Sequence, residues 1–159
     1  MLVEIDFSEG IDQEEIERLF KKEGTTLSLF LNSVMKKLVE VYRGLGLDKV
    51  VVVRICLENE SAELNRQYLS KDYPTNVLSF PFDDSDNPTI PLGNLAICWS
   101  VLERESLDQK KFLLDHLAHL FLHGVLHLLR FDHQTESSAE EMEAIEIETL
   151  AALEIDNPY

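Results

Sequence analysis

A chain of 159 residues that is 45% hydrophobic and 8% aromatic carries enough apolar material for one core. It fits a single domain over residues 1–159, and the disordered, collagen-like and mini-protein classes are excluded. Thirty Asp and Glu against fourteen Lys and Arg give a net charge of −16, which excludes binding of nucleic acid through a broad basic footprint. The excess is local, because residues 136–156 hold eight acids and no Lys or Arg, leaving −8 on the remainder. A phosphate-bearing substrate must then be held by a small basic patch or by a metal.

The amino terminus, MLVEIDFSEGIDQEE, is acidic and lacks the basic and apolar regions of a signal peptide. No window approaches the ~18 to 20 continuous apolar residues of a membrane span, so a soluble, cytoplasmic protein with no membrane partner is expected. Val3 to Phe7 reads as a short strand. From Thr25 to Gly44, Leu27, Leu31, Val34, Met35, Leu38 and Tyr42 recur at helical spacing behind a Thr25 or Thr26 cap. Lys49 to Leu57 (KVVVVRICL) is a β-branched run, the pattern of a buried strand. Ser61 is expected to cap a short helix through Leu69, ending in the turn KDYPT. Thr75 to Phe82 and Gly93 to Trp99 predict two further strands, with Pro81 placing the first at a sheet edge. Cys56 and Cys98 each lie in an apolar run and read as buried thiols.

Beyond Ser100 the period changes. Phe112, Leu113, Leu117, Leu120, Phe121, Val125 and Leu128 mark a long apolar helix, and Ser137 or Ser138 opens a last one rich in acids, with Met142, Ile145, Leu150 and Leu153 turned inward and the acids on a solvated face. The class is α+β: a mixed sheet of about four strands packed with helices around a central helix that bears the histidines.

All five histidines fall between residues 116 and 133. His119, His123 and His127, four apart, share one face of that helix, and unpaired imidazoles on so apolar a helix are costly unless they share a partner such as a metal. His123, His127 and His133 form an H-x3-H-x5-H run: two ligands one turn apart and a third delivered as the chain leaves the helix. Three neutral nitrogens with a fourth position left to water suit one catalytic Zn2+ per chain, although such a site also accepts nickel or copper. His119 is a candidate for orienting the site or touching substrate, and Asp132 for orienting a ligand imidazole or capping locally. The spacing is also that of the protease pattern H-E-x-x-H-x-x-G-x-x-H, but Gly124 stands where the glutamate base belongs and Arg130 where the turn glycine belongs, which disfavours peptide hydrolysis.

The segment HLFLHGVLHLLRFDH (His119 to His133) resembles the signature H-G-x-L-H-L-x-G-Y-D-H of the YbeY family of bacterial endoribonucleases. LNRQYLSKDYPTNVLSFPF (Leu64 to Phe82) is similar to that family's L-N-x-x-Y-R-x-x-D-x-P-T-D-V-L-S-F-P, and LGNLAIC (Leu92 to Cys98) to its L-G-D-I-x-I. The resemblance implies a metalloprotease-like zinc site on His123, His127 and His133. It also implies a single-strand-specific endoribonuclease acting in maturation of the small-subunit ribosomal RNA 3′ end and in ribosome quality control. Single-stranded ribosomal RNA and the small ribosomal subunit with its proteins would be the partners. The chain departs from the pattern at Leu69, where the family has an arginine implied to meet RNA phosphate, and at Arg130, Phe131 and Asn94, where it has glycine, tyrosine and aspartate. Arg66, Lys71 and Arg130 are the cations left as substrate contacts. Two other readings stand beside this one: a zinc hydrolase of the metalloprotease type, and a metal-stabilised ribosome-assembly factor whose acidic face meets basic proteins.

Overall fold

A computed structural model of the chain describes residues 2–42, 49–83, 87 and 89–159. The elements run β1 (Leu2–Phe7), α1 (Gln13–Lys22), α2 (Leu27–Val41), β2 (Val50–Cys56), α3 (Glu58–Leu69), β3 (Val77–Pro81), β4 (Gly93–Cys98), α4 (Trp99–Asp108), α5 (Leu113–Leu128) and α6 (Glu136–Ala152). The four strands form one sheet in the order β1-β2-β4-β3. β1, β2 and β4 pair in parallel, and β3 closes one edge antiparallel to β4. This is the expected α+β architecture, and Pro81 ends the edge strand, where the donor it lacks is not needed.

Strand alternation gives the sheet two unlike faces. Val51, Val53, Ile55, Leu95 and Ile97 turn inward, all fully buried, and pack with Phe20, Leu27, Leu31 and Leu38 from α1 and α2 and with Leu117, Phe121 and Val125 from α5. The outer face carries a smaller apolar cluster of Cys56, Leu78, Ala96, Cys98 and Val101, covered by Leu64 of α3 and by Phe80. Both cysteines are free and buried, as expected. Toward β1 the outer face is polar: Arg54 pairs with Asp6 and, at 2.9 Å, with Glu60.

α5 is buried nearly all round because it packs against α2, α4, α6, β3 and β4. Gly124 is what lets it approach the sheet. A Cβ there would lie 3.0 Å from Leu95 Cδ2 and 3.2 Å from Val77 Cγ2, and Ser79 Oγ donates to the Gly124 carbonyl at 3.1 Å.

Two helices and two helix starts differ from the sequence reading. α1 and α4 were not anticipated, and α3 begins at Glu58, so that Ser61 is not its cap. Ser61 is instead buried one turn inside, where its hydroxyl donates to Thr75 O at 2.9 Å and accepts from Thr75 N at 3.0 Å; Asn65 donates to Tyr73 O at 2.9 Å. Two polar side chains of α3 thereby fix the turn that launches β3. The last helix is capped by Thr135, whose hydroxyl accepts from Ser138 N, rather than by Ser137 or Ser138. The end of the α2 reading at Gly44 and much of the DDSDNPT loop lie outside the described residues.

Candidate metal centre

His116, His119, His123 and His127 all project from α5, and the turn after it brings in His133. That turn is a helix terminator in which Arg130 N donates to His127 O and Phe131 N to Leu126 O, both at 3.0 Å. It requires a left-handed residue, and Arg130 occupies it at φ 72°, the position where the resembled pattern has glycine. A side chain pays about 1 kcal/mol there, and the chain is nonetheless folded back so that His133 stands over its neighbours. The rings of His123 and His133 stack with centroids 5.6 Å apart, and His127 meets His123 at 4.6 Å and His133 at 5.1 Å, both edge-on.

The hydrogen bonds of these rings decide which nitrogens are available. His123 Nδ1 donates to Glu146 Oε1 at 2.7 Å, and His127 Nδ1 to the Phe131 carbonyl at 3.0 Å. Both acceptors are acceptor-only, so each Nδ1 carries a proton, and in the neutral ring each Nε2 is the nitrogen left with a free lone pair. Those two Nε2 atoms face each other 3.0 Å apart. Two lone pairs at that separation repel unless a proton or a cation lies between them. A tetrahedral ion with nitrogens at 2.0 to 2.1 Å holds neighbouring nitrogens about 3.3 Å apart, so the donor set fits one. His123, His127 and His133 each offer a nitrogen within 4.8 Å of the others and could hold a metal ion. Burial, then the neighbouring His123, lowers the His127 pKa, which keeps that imidazole in the neutral form a ligand needs.

Glu146 is the residue the sequence reading missed. Counted among the acids of a solvated helix face, it is instead 0% exposed, on the stripe of α6 that also buries Met142, Ile145 and Leu150. Burial raises its pKa, but hydrogen bonds from His119, His123 and Tyr159 outweigh burial and bring it down to about 2. The carboxylate is therefore ionised and clamps two imidazoles at once, His119 Nε2 at 3.2 Å and His123 Nδ1 at 2.7 Å, with the Tyr159 hydroxyl donating to the same group. His119, Glu146 and His123 also converge closely enough to form a second set of donor atoms. His123, however, spends its Nδ1 on the carboxylate and keeps Nε2 for the trio, so the set reads as the support of one site. His119 thus stands against Glu146 and Tyr159 rather than within the trio.

The other expected residues fall as follows. Asp132 accepts from Gln134 N at 3.2 Å and is a local cap. Gly124 leaves the position next to His123 on α5 without a carboxylate. A cavity of about 1270 Å³ opens from His119, His123, His127 and His133, and Arg66, Lys71 and Arg130 do not line it. Arg66 is held by Glu63, with its Nε at 3.1 Å; Arg130 reaches Asp83 at 3.5 Å with both side chains exposed.

A small α+β fold whose central helix and following turn converge three imidazoles on the wall of an open cavity defines a candidate metalloprotein. The family model described as Endoribonuclease YbeY matches residues 10–154. An Endoribonuclease YbeY of Alteromonas mediterranea is 44% identical over 156 residues, covering 98% of this chain and 95% of that protein. One of Acinetobacter baumannii is 48% identical over 134 residues, covering 79% and 85%. A protein of Thermotoga maritima whose structure was solved in solution shares the fold at a TM-score of 0.57 and 23% identity, over 96% of this chain and 92% of that one. The chain belongs to the YbeY family of endoribonucleases.

Proposed function

We propose that the chain is a single-domain, zinc-dependent endoribonuclease that cleaves single-stranded segments of ribosomal RNA in the cytoplasm. Its task would be maturation of the small-subunit RNA 3′ end and ribosome quality control, with the small subunit and its proteins as partners. The observation that carries the metal reading is the pair of Nε2 atoms facing each other 3.0 Å apart beside a third imidazole; membership of the endoribonuclease family carries the activity. A bound zinc would lower the pKa of a water toward ~7 and polarise a phosphoryl oxygen. Among the described residues the chain's own part is positional. Glu146 and the Phe131 carbonyl fix the tautomers of His123 and His127, and the Arg130 turn holds His133 over them. Gly124, packed against Leu95 and Val77, puts no carboxylate at the helix position next to His123, where the protease pattern has its glutamate base, which speaks against the zinc hydrolase reading for peptides. Arg66, Lys71 and Arg130 stand as candidate phosphate contacts outside the cavity.

The assembly-factor reading draws on one observation, the acids of α6. Glu136, Glu140, Glu141 and Glu148 are exposed, a face suited to basic proteins. Metal-loaded protein and its His123→Ala variant, assayed on single-stranded RNA, casein and purified small subunits, separate the three. Wild type should cut RNA and the RNA within subunits, the variant should not, and casein should stay intact. Casein hydrolysis would favour the hydrolase, and binding to subunits with no cleavage of either RNA would favour the assembly factor.

A further inference from the structure

The cavity that contains the three histidines does not end at them. It passes round the edge strand β3, because residues of both its faces line it, inward Val77 and Ser79 and outward Leu78 and Phe80, and it continues over the outer sheet face to α3. Four of the exposed large hydrophobic side chains lie along this one cavity: Tyr68 at 60%, Leu69 at 54%, Phe82 at 40% and Tyr159 at 58% exposure. Tyr68 is braced by Phe80, ring centroids 4.9 Å apart at 63°, so its free face is held in place against the groove. On a protein of charge −16, large apolar side chains left uncovered beside a candidate site are the mark of a binding surface.

The charges of the groove say which kind. Of the Lys and Arg among the described residues only Arg54 lines it, and Arg54 is neutralised by Asp6 and Glu60. At Leu69, where the resembled pattern has an arginine, the wall is apolar. Such a groove offers little to phosphates and much to the flat faces of bases.

We propose that the Tyr68, Leu69, Phe80 and Phe82 wall is a nucleobase-stacking subsite, on which unpaired bases of a single-stranded RNA lie while the adjoining backbone passes round β3 to the histidines. This rests on the endoribonuclease reading and adds how that enzyme selects single strands: a base in a duplex is already stacked on its neighbours and cannot offer its face to Tyr68. Affinity then comes from stacking rather than from phosphate pairing, which reconciles RNA binding with the acidic total.

The test is binding of a short, unstructured, fluorescent 2′-O-methyl oligoribonucleotide to the metal-loaded protein across a salt series, with the probe checked intact afterwards and cleavage of ordinary RNA measured separately. Tyr68→Ala should bind about tenfold more weakly with the salt slope unchanged, since one aromatic face is lost and no phosphate contact. Tyr68→Phe should restore binding, and Leu69→Arg should steepen the slope by about 0.7, one added phosphate contact. Equal binding of a duplex of the same sequence would overturn the proposal. So would wild-type affinity in Tyr68→Ala combined with loss of affinity in Arg66→Ala or Lys71→Ala. Failure of the wild type to bind the probe, with dimerisation or capture of an unstructured peptide through the groove in its place, would overturn it as well. The two readings fail separately. Cleavage of RNA by wild type with an unchanged KM in Tyr68→Ala removes the stacking subsite and keeps the nuclease, whereas tight, Tyr68-dependent binding without cleavage removes the nuclease and keeps the subsite.

Discussion

The two ends of α5 carry the same side chain in opposite circumstances. Near its start His116, 3% exposed, gives Nε2 to Glu105 at 2.8 Å, and Glu105 in turn accepts from Asn76 at 3.1 and 3.2 Å. Near its end His123 and His127 give Nδ1 to Glu146 and to Phe131 O and keep Nε2 for one another across 3.0 Å. Both ends pair a histidine with a carboxylate. They differ in where the second nitrogen points: the other nitrogen of His116 is enclosed in protein without a partner, whereas the second nitrogens of the trio converge on an open cavity. A histidine is marked for chemistry by a free nitrogen aimed at neighbours and solvent, and burial or a carboxylate partner alone does not mark it.

Removing the carboxylate from the functional end should have the largest effect. Glu146→Gln loses the charge that holds His123 and His119, and metal affinity measured by competition with a chromophoric chelator should fall about 10- to 100-fold. The same variant sharpens the comparison through pH. A carboxyl held at about 2, below its ordinary 4.5, adds stability that is complete above about 4.5 and is lost as the pH falls toward 2. Metal-free wild type should therefore lose more stability between these values, by urea unfolding, than Glu146→Gln does.

At the other end the expectation reverses. His116→Ala should leave metal content and RNA cleavage unchanged but cost about 1 to 3 kcal/mol of folding stability, because Glu105 loses its buried partner. A loss of metal in this variant would show that the two ends are one unit. The smallest effect belongs to the turn between the helix and His133. Arg130→Gly should raise stability by about 1 kcal/mol by relieving the left-handed φ, with metal affinity held, and a loss of metal there would mean that the Arg130 side chain itself steadies the site.

The sequence made the trio legible because an i, i+4 pair followed by a third histidine is a local pattern, and the strands because β-branched runs are local too. What it hid depended on packing. α1 has only Ile16 and Phe20 buried in a polar, acidic segment, and the sole signal was Asp12, whose side chain accepts from Glu15 N, ahead of that i, i+4 pair. α4 follows β4 with no turn between Cys98 and Trp99, so its first residue read as the last of the strand. Glu146 looked like one acid among eight. Its distinguishing mark was position: it lies four residues from both Met142 and Leu150, on the apolar stripe of α6, where an unpaired carboxylate would not be tolerated. A carboxylate on a buried stripe, downstream of a histidine cluster, is the signal that could have found it. The clamp on the KDYPT turn by Ser61 and Asn65 had no comparable trace, since a serine at a helix start reads equally as a cap.

The central claim is that His123, His127 and His133 together hold one metal ion, and elemental analysis of protein purified without a histidine tag tests it most directly. Wild type and His116→Ala should each carry one equivalent of zinc per chain, and His127→Ala should retain only a small fraction, because two imidazoles and water bind far more weakly than three. A full equivalent of zinc in His127→Ala, or none in wild type under the same purification, would contradict the assignment.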